Sequence, residues 1–389
     1  MIKLSVVFLL VLILCFPAIA LADDVMETHD DQSVQLSDDF DITYSEDIDT
    51  HSKQLINKSI ISLKMYKGVI PAFADGKIVF LSRDGVLCSV SGQNLTEYYW
   101  KLDITKGAKL YRASILYSEN MVLYAANDNV YGIDFNTGEI KWQKSLRSVI
   151  AGSPIVVNNN LVVVTVDNFL YSFNIANGAL SWSIQESLPE VKSYNSLSST
   201  SYGEVVIVSF SNGKIVALNS LNGLKMWEAD ISSNIVNSIP FNNGVSLQST
   251  EGTVIVVDKL HNISNIDIES GKTRWSKNLR VQNVSQIEGT DIIGIIDGKL
   301  TLLNISTGEF LWQYDLLRHG KSKIQWSTPI VKDGHVFIIS SDGCVVVVDS
   351  KSGDLKLVNY ILSSSYYVPI FVNSSVYFVT NKNKIIVFH

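Results

Sequence analysis

Concentrated chemistry is what this sequence has least of. Three cysteines, Cys15, Cys88 and Cys344, form no CxxC and no Cys/His pair at zinc spacing, which removes the sequence signatures of a zinc site. Six histidines (His29, His51, His261, His319, His335, His389) are scattered, without an HExxH. GxSxG, P-loop and GxGxxG motifs are missing as well. No catalytic, metal-binding or cofactor-binding residue is therefore assigned, and the chain reads as a non-enzyme without a cofactor. Charge is sparse, at 18% of residues, against 46% hydrophobic. From residue 53 onward, 30 basic and 27 acidic residues give a body near +3, with no electrostatic case for nucleic acid. Long apolar runs are also lacking after residue 22, where none approaches the ~20 residues of a spanning helix without turn residues. The mature chain is thus expected to be soluble.

The ends are distinct from the body. Lys3, the apolar run Leu4 to Phe16 and Ala20-Leu21-Ala22 have the order of a secretory signal peptide, so residues 1–22 are expected to be cleaved. Cys15 follows Leu14, whereas lipidation needs a small residue there; it reads as part of the apolar run. Residues 23–54 form an acidic leader. Eleven carboxylates and no Lys or Arg lie between 23 and 52, without hydrophobic periodicity, and disorder is expected. Cys88 and Cys344 fall in distant repeats of the frame below, which favours buried free thiols over a bridge.

What is present is a repeat. Trp100, Trp142, Trp182, Trp227, Trp275, Trp312 and Leu357 follow one another at spacings of 42, 40, 45, 48, 37 and 45. Such a period belongs to a four-stranded propeller blade rather than to a helical repeat. Eight residues before each of the last six stands Asp or Asn: Asp134, Asn174, Asn219, Asp267, Asn304, Asp349. Four residues before stands glycine: Gly138, Gly178, Gly223, Gly271, Gly308, Gly353. The Asx side chain opens a tight turn and the glycine supplies the positive φ that closes it. A second turn recurs upstream, at Arg83-Asp84-Gly85, Asn127-Asp128-Asn129, Ser211-Asn212-Gly213, Thr250-Glu251-Gly252, Ile296-Asp297-Gly298 and Ser341-Asp342-Gly343. A third stands earlier still, at Asp75-Gly76, Asn243-Gly244 and Asp333-Gly334. Three turns per repeat give four strands. The tryptophan falls on the outer strand, where a large ring can wedge between sheets. Trp326 breaks the frame where an inner strand is expected to begin, with a packing role.

The last copy, 366–389, holds two strands and stops before an Asx/Gly turn. Ahead of the first copy, Ile56 to Tyr66 is an orphan β-like segment. Pairing the two completes an eighth blade and closes the ring, which removes the long free edge of an open array. The expected fold is all-β: an eight-bladed β-propeller of four-stranded blades over residues 55–389, closed by the N-terminal strand.

The motif Asp/Asn-x-x-x-Gly-x-x-x-Trp, once per blade, resembles the repeat of pyrroloquinoline-quinone-type propellers. That family contains quinoprotein dehydrogenases and the BamB-like outer-membrane assembly factors. The absence of adjacent cysteines and of long insertions favours the second branch. So does the stretch Leu311 to His319 followed by Ser327 to Val331, which looks like a blade junction of that branch. The resemblance implies a periplasmic scaffold, peripheral to the outer membrane and monomeric within a complex, that binds the periplasmic domain of a BamA-like protein. It also implies contacts from two inter-blade loops, here Val191, Lys192, Ser193 and Tyr194 in one and Ile235 and Asn237 in the other. Tyr194 stands where the branch has arginine; Ile235 and Asn237 stand where it has acids. Two readings remain open beside it: a small quinone-dependent dehydrogenase, and a periplasmic propeller with another protein partner.

Overall fold

The computed structural model describes residues 58–388 apart from 63–64, 67, 93–95, 108, 189–196, 231–244, 251, 259–260, 287–290, 320–323, 361–369, 373–374 and 380–383. Apart from the short 3-10 turn Leu316–His319, the regular elements described are all strands. Seven antiparallel sheets are each made of four consecutive strands, spanning 72–103, 113–145, 155–185, 199–230, 246–277, 281–315 and 330–360. The second is representative, with strands Ala113–Ser118, Met121–Ala126, Asn129–Asp134 and Ile140–Ser145. One further sheet joins Ile370–Val372, Ser375–Val379 and Lys384–Phe388 to the N-terminal strand Lys58–Ser62. In that last pairing Lys58 stands opposite Phe388 and Ser62 opposite Lys384. The architecture is a β-propeller.

Strand position within a sheet explains strand composition. First strands of neighbouring sheets approach one another, as Ser199–Tyr202 and Ser246–Thr250 do, so they lie innermost. Second strands are covered on both faces by adjacent sheets and read as unbroken apolar runs; every residue of Met121–Ala126 is buried. Outermost strands are exposed except at one place. Tyr98–Asp103, Ile140–Ser145, Leu180–Gln185 and Lys225–Asp230 each bury only their third residue, the repeat tryptophan.

The core is accordingly divided among the gaps between sheets. One cluster sets Leu81 and Trp100 of the first sheet against Val122, Tyr124 and Phe135 of the second. Equivalent clusters join each later pair up to the seventh sheet. Another sets Phe80, Cys88 and Val90 of the first sheet against Ile370 and Tyr377 of the terminal one, with the Phe73 and Tyr377 rings 4.9 Å apart.

Three local expectations change. Thr250-Glu251-Gly252 connects the first and second strands of the fifth sheet, not the second and third. The second-to-third connection there is the longer turn 258–262, in which the Asp258 carboxylate accepts from the Asn262 backbone and side-chain amides. His261 takes φ +64 without a glycine to mark it, which is why the sequence hides this turn. Of the orphan segment 56–66, Lys58–Ser62 is strand in the terminal sheet, whereas Met65 bridges Ser82 of the first sheet and the Tyr66 amide donates to the Leu81 carbonyl. Trp326 precedes its inner strand, Ile330–Lys332, and forms a bridge with Ser340 while packing in the cluster between the sixth and seventh sheets.

Candidate partner-binding surface

Each repeat tryptophan acts on the sheet that follows its own. The indole N–H groups of Trp100, Trp142, Trp182, Trp227, Trp275 and Trp312 donate to the carbonyls of Phe135, Ile175, Ser220, Ile268, Ile305 and Ser350 at 2.6–3.1 Å. Every acceptor is the residue just after the Asx of the next repeat. The Asx carboxylate or amide oxygen meanwhile accepts backbone N–H groups ahead of it, as Asp134 does from Asn136 and Thr137. The glycine has a second reason to lack a side chain. A Cβ on Gly223, at φ +72, would lie 2.8 Å from the Trp182 ring. Gly138, Gly178, Gly271, Gly308 and Gly353 meet the rings of Trp100, Trp142, Trp227, Trp275 and Trp312 in the same way. Tryptophan and glycine of adjacent repeats are thus one interlocking contact. The first four tryptophans are buried, whereas Trp275 and Trp312 are half-buried.

Meander topology sorts the loops onto two ends. First-to-second-strand turns and Asx/Gly turns share one end, where the Asn158 amide donates to the Ser220 hydroxyl at 2.7 Å across sheets. Second-to-third-strand turns and the connections between sheets share the other. The proposed contact loops are such connections, between the third and fourth and between the fourth and fifth sheets. Val191, Lys192, Ser193, Tyr194, Ile235 and Asn237 lie outside the described residues.

The roots of the first loop are described. Asn168, fully buried at φ +59, donates from its side-chain amide to the Ser187 carbonyl at 2.9 Å. Its side-chain oxygen accepts from the Ser211 hydroxyl at 2.9 Å and backbone amide at 3.2 Å. Its carbonyl accepts from the Glu186 amide. The Asn212 side chain adds donation to the same Ser187 carbonyl at 3.1 Å. Glu186 pairs with Lys225 at 2.5 Å, and that carboxylate, followed by Glu228, holds the lysine pKa above its ordinary value. On the far side, Leu197 and Ser198 are buried, with the Ser198 amide donating to the Ser209 hydroxyl at 2.9 Å. The loop therefore leaves from and returns to fixed points on two sheets. Asn168 was not singled out from sequence; its only signal is an Asp-Asn pair between two apolar runs.

Chemistry elsewhere is muted. Cys88 and Cys344 are buried free thiols, each pushed up to about 11 by burial. Among the described residues no three His, Cys, Asp or Glu side chains converge as metal ligands. Among them, too, no helix is long and apolar enough to cross a membrane.

The family described as outer membrane protein assembly factor BamB matches residues 96–241 and 236–389. An outer membrane protein assembly factor BamB of Moranella endobia is 20% identical over 266 residues, covering 60% of this chain. The aligned part is 64% of that relative, so the chain spans less than two thirds of its length. The crystal structure of BamB from Moraxella catarrhalis superposes with a TM-score of 0.68 at 15% identity, over 85% of this chain and 98% of that one. A quinohemoprotein alcohol dehydrogenase from Pseudomonas putida gives 0.61 at 12% identity, over 85% and 75%. Likeness at these identities concerns the fold.

Proposed function

The chain belongs to the family of outer membrane protein assembly factor BamB, and from that membership we propose that it is a non-enzymatic scaffold subunit of the outer-membrane β-barrel assembly machinery. The family match, which runs through every sheet after the first, carries the reading. In it, residues 1–22 export the chain to the periplasm and 23–54 form a solubilising leader. The mature protein sits peripherally at the outer membrane, one copy per complex, through a BamA-like partner. The sheets form a closed ring of eight blades, with Lys58–Ser62 as the outer strand of the last. Pairing of that strand with Lys384–Phe388, and packing of Phe73 on Tyr377, support closure.

Val191, Lys192, Ser193 and Tyr194 make the contact from the first loop, and Ile235 and Asn237 from the second. The pinned root at Glu186 and Ser187 supports the first assignment. A fixed root removes that part of the ordering cost from binding. Recovery of a BamA-like protein on the tagged mature chain from a mild detergent extract of the envelope is the expected result. Its consistent absence overturns the reading.

The dehydrogenase fold neighbour gives a second reading, a quinone-dependent oxidoreductase. The family match over residues 96–241 and 236–389 favours the first reading. Saturable, alcohol- or sugar-dependent dye reduction after addition of pyrroloquinoline quinone and calcium would establish it instead.

A further inference from the structure

Six junctions between sheets carry the indole-to-carbonyl contact. The two that flank the terminal sheet cannot. The outer strand of the seventh sheet, Leu355–Tyr360, has Leu357 at its third position. In the sheet it would lock onto, the third strand, Lys384–Phe388, and the outer strand, Lys58–Ser62, are paired but not consecutive, so no Asx/Gly hairpin joins them. Leucine stands there in the place that tryptophan takes at the other junctions. On the other side, the third position of Lys58–Ser62 is Ile60. The connection that would receive it in the first sheet opens on Ser91-Gly92 instead of Asx and is one residue longer: the Ser91 amide donates to the Glu97 carbonyl, where the Asp134 amide donates to that of Glu139. Neither isoleucine nor leucine can donate a hydrogen bond. Among the described sheets, this outer strand is the one not consecutive in sequence with its neighbour.

We infer that the terminal sheet is a built-in seam, at which the N-terminal strand Lys58–Ser62 unlatches while the six tryptophan-locked junctions stay closed. The inference rests on the closed-ring reading above. Opening uncovers the gap between the terminal and first sheets, where Cys88 is packed with Met65, Phe80, Ile370 and Tyr377. Cys344 lies in the gap between the sixth and seventh sheets, beside Trp312 and Trp326. Both thiols are almost fully buried in the closed form, at 3% and 0% exposure. Each reports on one gap, and the chain carries its own reference.

The test is pulsed alkylation of the folded mature chain at mildly alkaline pH, read by peptide mass spectrometry. Cys88 is expected to label roughly ten-fold or more faster than Cys344, because local opening is cheaper than global unfolding. A second variant, Ser59→Cys with Val387→Cys, staples residues that face each other in register. Once oxidised, it is expected to slow Cys88 to the rate of Cys344. Equal rates in the unstapled chain overturn the seam and leave closure standing. Equal Cys88 rates with and without the staple overturn it as well. Failure of the disulfide to form in folded protein overturns closure, and the seam with it.

Discussion

At the scale of single residues, the molecule is held by a contact made six times. Trp227→Ala removes a buried ring and its 2.7 Å hydrogen bond to Ile268 together. The expected loss is about 3–5 kcal/mol, read from the shift in urea midpoint. Gly223→Ala attacks the same kind of contact from the other side. The added methyl would lie 2.8 Å from the Trp182 ring at an already left-handed φ. A loss of about 1–3 kcal/mol is expected in the same assay. Asn168→Ala takes the acceptor from the buried Ser211 amide and hydroxyl, while the Ser187 carbonyl keeps the Asn212 amide, for about 1–3 kcal/mol. Asx identity sets acid sensitivity. Backbone and side-chain hydrogen bonds from Ser270, then Arg274, hold the Asp267 carboxyl at about 2 instead of 3.8. A depressed folded pKa contributes stability above the ordinary value and loses it as pH falls through the folded one. Asp267 therefore supports the fold at neutral pH, and that support fades between pH 4 and 2. Asp267→Asn keeps the cap, as Asn219 does, and is expected to flatten the loss of stability across that window. Unfolding midpoints at pH 7, 4 and 3 check it.

At the scale of elements, strands inherit their chemistry from their place in the sheet. A third position on an outer strand is buried only when the next sheet offers an Asx/Gly turn to receive it. Leu357→Trp is expected to bring no gain, within ~0.5 kcal/mol of the parent, since no Asx/Gly hairpin joins the third and outer strands of the terminal sheet. A stabilisation as large as the loss in Trp227→Ala would show an acceptor there after all. Much of this level was legible beforehand. Six Asx/Gly pairs located six hairpins because both residues are demanded by backbone geometry that few others satisfy. The turn at 258–262 was not legible, because Asp258 and His261 do by side-chain capping and a left-handed histidine what glycine does elsewhere. The displaced reading of Thr250-Glu251-Gly252 follows from that omission. Asn168 escaped notice for a related reason: its importance comes from groups 19 and 43 residues away in sequence.

At the scale of the whole molecule, the propeller is a set of sheets that share their cores pairwise. Tyr194→Asp is expected to leave stability within ~0.5 kcal/mol of the parent and to weaken recovery of the BamA-like partner from envelope extract. A variant that unfolds as readily as Trp227→Ala would place Tyr194 in the packed interior and remove it from the contact.

The tryptophan repeat by itself determined the all-β class, the four-strand unit and the positions of the turns. Those depend on local φ values, hydrophobic runs and spacing, which a linear sequence carries. Only the tertiary structure decided what the tryptophans bind, why the glycines must be bare beyond their φ, and which asparagine pins the loop root. Each is a contact between repeats, and its partner is chosen by how one sheet packs on the next.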